Sequence, residues 1–127
     1  MNRTVDAGVA ARIGTYSDAV EIASGKRLLF VSGTPGIDPS SGRLPEGFVA
    51  QAEQAWRNIH AILAHAGMGV EDIVKLTQYL TRREDLAHYR DIRSRNLREH
   101  RPASMLAFVD ELVWPNMLIE LEVVAAQ

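Results

Sequence analysis

The chain has 127 residues, 46% of them hydrophobic and 24% charged, with no cysteine; this suits one globular core over residues 1–127 and excludes the disordered, collagenous and disulfide-stapled classes. The lack of thiols also excludes thiolate nucleophiles, CxxC redox chemistry and zinc held by sulfur. A formal net charge of -2 gives the whole molecule no polyanion-binding character, although Arg82 to Arg101 holds seven arginines against four acids, a net +3 that leaves the remainder at -5.

No apolar run approaches the roughly 20 residues that a membrane helix needs, and the start, Met1-Asn2-Arg3-Thr4-Val5-Asp6, has no apolar stretch behind its charge. The expectation is a cytoplasmic protein, neither exported by a Sec signal nor membrane-spanning. The first dozen residues carry little pattern and read as an arm. Val20 and Ile22 alternate with Glu21, and the apolar run Leu28 to Ser32 follows the Ser24-Gly25-Lys26 turn, so a hairpin is expected with its second strand the deeper. Gly33 to Gly42, rich in Gly, Pro and Ser, reads as a loop.

From Phe48 to Ala66, the residues Phe48, Ala52, Ala55, Trp56, Ile59, Ile62, Leu63 and Ala66 recur at spacings of three and four, with Gly67 as the stop. That is an amphipathic helix. Glu71 to Thr81, rich in Val, Ile, Leu, Thr and Tyr, reads as a strand that crosses a sheet. A second helix fits Glu84 to Arg98, with Leu86, Tyr89, Arg93 and Leu97 along one side, and Pro102 closes it off. Ser104 to Leu112 and Met117 to Ala125 then read as two strands around the Val113-Trp114-Pro115-Asn116 turn.

The order ββαβαββ predicts an α+β fold: a single mixed sheet with two helices on one face. The other face is left bare, while Leu76 to Leu80 and Leu118 to Leu121 place apolar groups on both sides, so self-association is expected.

Little conventional chemistry is written in the motifs. His60 and His65 are five apart, off the i, i+4 spacing that aims two ligands to one side of a helix, so no metal site is expected. No GxSxG elbow, Walker lysine loop or GxGxxG fingerprint is present, and the Gly33 to Gly42 loop lacks a phosphate-binding Lys. The arginine-rich helix has one interleaved aromatic, Tyr89, and four interrupting acids, which reads as a solvated or interface helix rather than a nucleic-acid surface. Glu120 and Glu122 share one sheet face, opposite Ile119, Leu121 and Val123. A carboxylate in a sheet centre needs a partner or a task.

Several stretches together resemble the RidA/YjgF family in order and spacing: Ile13-Gly14-Thr15-Tyr16-Ser17-Asp18-Ala19-Val20, Phe30-Val31-Ser32-Gly33, the Ala55 to Gly67 helix, Asp72-Ile73-Val74-Lys75, Arg101-Pro102-Ala103 and Ile119 to Ala125. The resemblance covers nearly the whole chain. It implies a chorismate-mutase-like fold and a homotrimer, with a small-molecule substrate or ligand in each inter-subunit cleft. The implied activity is hydrolysis of reactive enamine and imine acids to keto acids and ammonia, without a cofactor. It further implies that Tyr16 and Glu120 are catalytic, Glu120 positioning water, and that the Gly33 backbone amide binds substrate.

Two positions depart from the family pattern. Ser104 stands where the pattern has an Arg that clamps the substrate carboxylate, and the usual SGQ reads Ser32-Gly33-Thr34, which places Thr34 among the substrate-binding candidates. A serine cannot make the bidentate pair an Arg makes with a carboxylate. Arg90, at a position commonly Asn in deaminating members, and Arg101 are the candidate replacements. Three readings follow: a deaminase-type hydrolase with an atypical substrate, a non-catalytic binding trimer acting as a sensor or accessory protein, and, ranked last, an RNA-cleaving protein.

Overall fold

The computed structural model describes residues 2–127. Two helices, α1 (Phe48–His65) and α2 (Leu86–Leu97), lie against one side of a four-stranded sheet made of β3 (Leu28–Pro35), β4 (Ile73–Leu80), β5 (Ala103–Phe108) and β6 (Ile119–Ala126). α1 buries the face that its three- and four-residue spacing marks out: Phe48, Ala52, Ala55, Trp56, Ile59 and Leu63. It ends in a Schellman motif. Gly67, with φ of 71°, donates to the Ala64 carbonyl and Met68 donates to that of Leu63, while the Met68 side chain joins the core.

The strand order is β3-β6-β4-β5, antiparallel except for the parallel β4-β5 pair. Period-two alternation sends Leu76, Leu80, Ile119, Leu121, Val123 and Ala125 to the helix side, where all six are fully buried. On the other face the register aligns Lys75, Thr77 and Tyr79 with Val124, Glu122 and Glu120. Phe30, 74% exposed, lies at the β3 edge of this open face and Met105 at the β5 edge. The bare face is thus present, with a polar centre between apolar margins rather than the apolar surface expected.

Two further strands, β1 (Arg3–Val5) and β2 (Ala19–Glu21), form a separate antiparallel ribbon. This corrects the expected hairpin: β2 pairs with the supposed arm and not with β3. Ser17 is the physical reason. Its N–H donates to the Pro102 carbonyl and its hydroxyl to that of Arg101, and it forms a parallel bridge with Ala103. The chain entering β2 is therefore fastened beside β5, at the sheet edge opposite β3. Smaller differences are at element ends: β3 runs on to Pro35 where a loop was expected from Gly33, and β5 stops at Phe108 rather than Leu112.

Candidate functional site

A cavity of about 630 Å³ opens where α2 meets β4, β5 and the Ile13–Tyr16 segment. Its chemistry starts from Gln78, a polar residue placed between Leu76 and Leu80 on the helix side of β4 and only 1% exposed. A buried amide must satisfy four hydrogen-bonding positions, and Gln78 does so. Its Oε1 accepts from the Tyr89 hydroxyl at 2.5 Å and from Arg93 Nε at 3.2 Å, and its Nε2 donates to Ser104 Oγ at 2.9 Å and to the Met105 carbonyl at 3.1 Å. Burial pushes the Tyr89 hydroxyl well above the usual tyrosine value, so it remains a donor at every working pH.

Tyr16, Arg90, Arg93, Ser94 and Ser104 all line this cavity, and among the described residues no Asp or Glu does. The backbone that leads into the Ile13–Tyr16 wall is held by Asp18, through residues 7–10, and Ile13 and Gly14 donate in turn to the Ala10 carbonyl. Asp18 Oδ2 accepts from the backbone N–H of Ala7 at 2.5 Å, Gly8 at 3.0 Å and Val9 at 3.3 Å, and its Oδ1 from that of Ala10 at 2.6 Å. Four donors on one carboxylate hold its pKa below the usual aspartate value. Asp18→Asn keeps one accepting oxygen, turns an NH2 group on at least one of these donors and removes the charge that strengthens the rest. Amide exchange over residues 7–10 should accelerate about tenfold at neutral pH, measured by hydrogen-exchange mass spectrometry. A lowered carboxylate pKa stabilises above the unfolded value and ceases to do so as pH falls through the folded one, so the variant and the parent should converge in acid.

Glu120 occupies the opposite side of the sheet. It faces Tyr79 on β4 and Pro35 on β3, and its carboxyl lies against Gly33, where a Cβ would stand 2.8 Å from Oε2. β3 is irregular between Val31 and Thr34, where Ser32 and Gly33 have no register partner, and this bulge brings bare backbone up to the carboxylate. Desolvation first, and the Glu122 carboxylate second, raise the Glu120 pKa above the ordinary glutamate value.

The residues singled out in the sequence fall into two groups on one chain. Tyr16, Ser104 and Arg90 are together in the cavity, whereas Gly33 and Glu120 are together on the open face. Thr34 joins neither group: it is 8% exposed, aligned with Leu121 on the helix side, and its hydroxyl donates to the Ser32 carbonyl at 2.8 Å. Arg101 lines an adjoining hollow of about 160 Å³ with Arg98 and His100, and Thr15, Arg93 and Ser94 border both spaces. His60 is paired with Asn96 at 2.9 Å, and among the described residues no group of three or more His, Cys, Asp or Glu is placed to hold a metal ion.

Sequence reasoning missed Arg93 and Gln78. The signal was there in both cases, as a cation in the Leu86, Tyr89, Leu97 stripe and an amide in the Leu76, Leu80 alternation. The arginines of the basic segment divide: Arg93, Arg98 and Arg101 border one hollow, and others are engaged elsewhere. Arg82 pairs with Asp85 at 2.8 Å, Arg95 with Glu53 at 3.4 Å, Arg83 lies over the Phe108 ring and Arg93 turns inward.

Two helices on one side of a mixed sheet, a cavity under the second helix and a half-buried glutamate on the free face define a small α+β protein. The family model described as Endoribonuclease L-PSP matches residues 8–127. The chain is 38% identical over 117 residues to a RutC family protein of Aquifex aeolicus, covering 91% of this chain and 90% of the relative. It is 36% identical over 118 residues to the mouse 2-iminobutanoate/2-iminopropanoate deaminase, covering 92% and 84%. The crystal structure of RidA from the Antarctic bacterium Psychrobacter sp. PAMC 21119 superposes with a TM-score of 0.76 at 36% identity, covering 91% and 90%. The chain belongs to the Endoribonuclease L-PSP family, the RidA/YjgF family that its motifs resemble.

Proposed function

We propose that this protein hydrolyses small imine or enamine compounds to carbonyl products and ammonia, without a cofactor, in a cytoplasmic homotrimer whose clefts join the cavity of one subunit to the open sheet face of the next. The observation that carries this reading is Glu120, half-buried against Gly33 with its pKa raised. Water attacks the iminium carbon as Glu120 takes one of its protons, forming the C–O bond and moving the C=N electron pair to nitrogen. Glu120 then protonates that nitrogen, the C–N bond breaks, and the hydroxyl proton leaves with ammonia as ammonium while the carbonyl forms. The relatives named as 2-iminobutanoate/2-iminopropanoate deaminases support the same chemistry. Against an RNA-cleaving role stand the net charge of -2 and the engagement of Arg82 and Arg95 with acids.

Ammonia release from 2-iminopropanoate, generated in place from alanine by an amino-acid oxidase, tests the activity. Release no faster than the uncatalysed rate, here and with other small imines, leaves the binding-trimer reading. The assembly has its own test, because on one chain Ser104 and Glu120 lie on opposite sides of the sheet. Light scattering at micromolar concentration is expected to give three times the chain mass. A monomer would leave Phe30 and Met105 exposed around a half-formed site and would sink the shared-cleft reading.

A further inference from the structure

We propose that Arg93 is the anion anchor of the cavity, and that the ligand it selects is a small carboxylic acid whose carboxylate sits between the Arg93 guanidinium and the Ser104 hydroxyl. Among the described residues Arg93 makes one hydrogen bond, from Nε to Gln78 Oε1, while its Nη2 is buried with no partner at all. Gln78 is neutral and already fully occupied, so it orients the guanidinium without balancing its charge. A charged donor held in place, desolvated and left unanswered by its own chain is a binding group awaiting an acceptor.

The surroundings specify that acceptor. With Nε bound to Gln78, the end edge of the guanidinium carries the free donors, and that edge matches the two oxygens of a carboxylate. Ser104 Oγ accepts from Gln78 and keeps its own hydroxyl hydrogen to give. Among the described residues no acid lines the cavity, Glu99 of the adjoining hollow makes no ion pair with Arg93, and Arg90, exposed at the same cavity, adds a second positive charge that draws anions in. Ser104 and Arg93 thus share what one arginine on β5 would do: the charge comes from α2 and the short donor from the strand. Arg101 lines the adjoining hollow, which shares Thr15, Arg93 and Ser94 with the cavity, but it does not line the cavity itself.

The inference rests on the hydrolase reading in one respect, that the anchored acid is the imino or keto acid of that reaction, so its test is a binding measurement without turnover. Isothermal titration of the full chain compares 2-oxobutanoate, its methyl ester and inorganic phosphate. The acid is expected to bind at least about tenfold more tightly than the ester or phosphate, and Arg93→Met to remove that preference. Because the substitution deletes a buried charge that no acid pairs, the thermal midpoint of Arg93→Met should equal or exceed that of the parent. Arg93→Lys, which keeps charge without the fork, should retain part of the preference. Equal affinity of the parent for acid and ester, tighter binding of phosphate, or undiminished acid binding by Arg93→Met overturns the anchor; should Arg93→Met fail to fold, the acid-ester comparison and Arg93→Lys still decide. Acid binding with no ammonia release from imino acids leaves the anchor standing and removes the hydrolase reading instead.

Discussion

Glu120→Gln is expected to cut the hydrolysis of any imine the parent turns over by about 10²–10⁴, with the thermal midpoint and the assembly mass preserved. The amide keeps the volume of the acid and its place against Gly33, and it loses only the capacity to take a proton from water. A second readout separates proton transfer from packing. The form of Glu120 that accepts a proton is the carboxylate, and burial and Glu122 raise its pKa, so kcat/KM should climb with pH through a value above the ordinary glutamate range. That limb should be missing from the residual activity of the Gln variant. The stability effect has the opposite sense: a raised folded pKa stabilises below the unfolded value, and the contribution is lost as pH rises through the folded one. Full turnover by Glu120→Gln would assign the proton transfer to another group.

Gly36→Ala should be the most damaging of the small substitutions to stability. Gly36 is buried at the end of β3, and a methyl group there would fall on the Gln51 carbonyl oxygen and 2.8 Å from its carbon. Those atoms are helix backbone and cannot swing aside. Gln51 is also clamped through its side chain, donating to the Pro45 and Asn116 carbonyls at 3.3 and 3.0 Å and accepting from Leu118 N–H at 2.8 Å. Overpacking against fixed backbone costs about 3 kcal/mol, and the thermal midpoint should fall by roughly 10 °C. An unchanged midpoint in thermal denaturation would mean that α1 and β3 separate freely. At Gly33 the obstacle is the tip of the Glu120 side chain, so Gly33→Ala should disturb the position of that carboxylate rather than the fold.

The helices and long strands were legible because burial writes its period into the sequence. α1 is stated twice, by its apolar repeat and by Gly67, and it ends within one residue of the expected place. The ribbon of β1 and β2 was not legible: three-residue strands are too short to alternate, and their partner choice follows from hydrogen bonds made by Ser17 and Asp18 to distant or backbone groups. Nor was the insertion of β6 between β3 and β4, since both strands have matching alternation toward either neighbour.

In the site, alternation was enough to put Glu120 and Glu122 on one face. It was not enough for Thr34, because the bulge at Ser32-Gly33 shifts the alternation and turns Thr34 to the helix side. Arg93 and Gln78 each looked like an isolated polar residue in an apolar series. That they answer each other is a fact of three-dimensional placement, which no one-dimensional period carries.

The middle position of β6 bears on how the chain is made. β3 and β4 share no pairing of their own; each bonds to residues 119–126. Without that segment the sheet would consist of β3 alone and the parallel β4-β5 pair, whose open edges are ready templates for a neighbouring chain. The sheet therefore closes in a single late event that joins residues some ninety positions apart, a slow kind of search. Ribosomes spaced closely on one message would present such open edges to each other, and residues 119–126 set the moment at which that exposure ends.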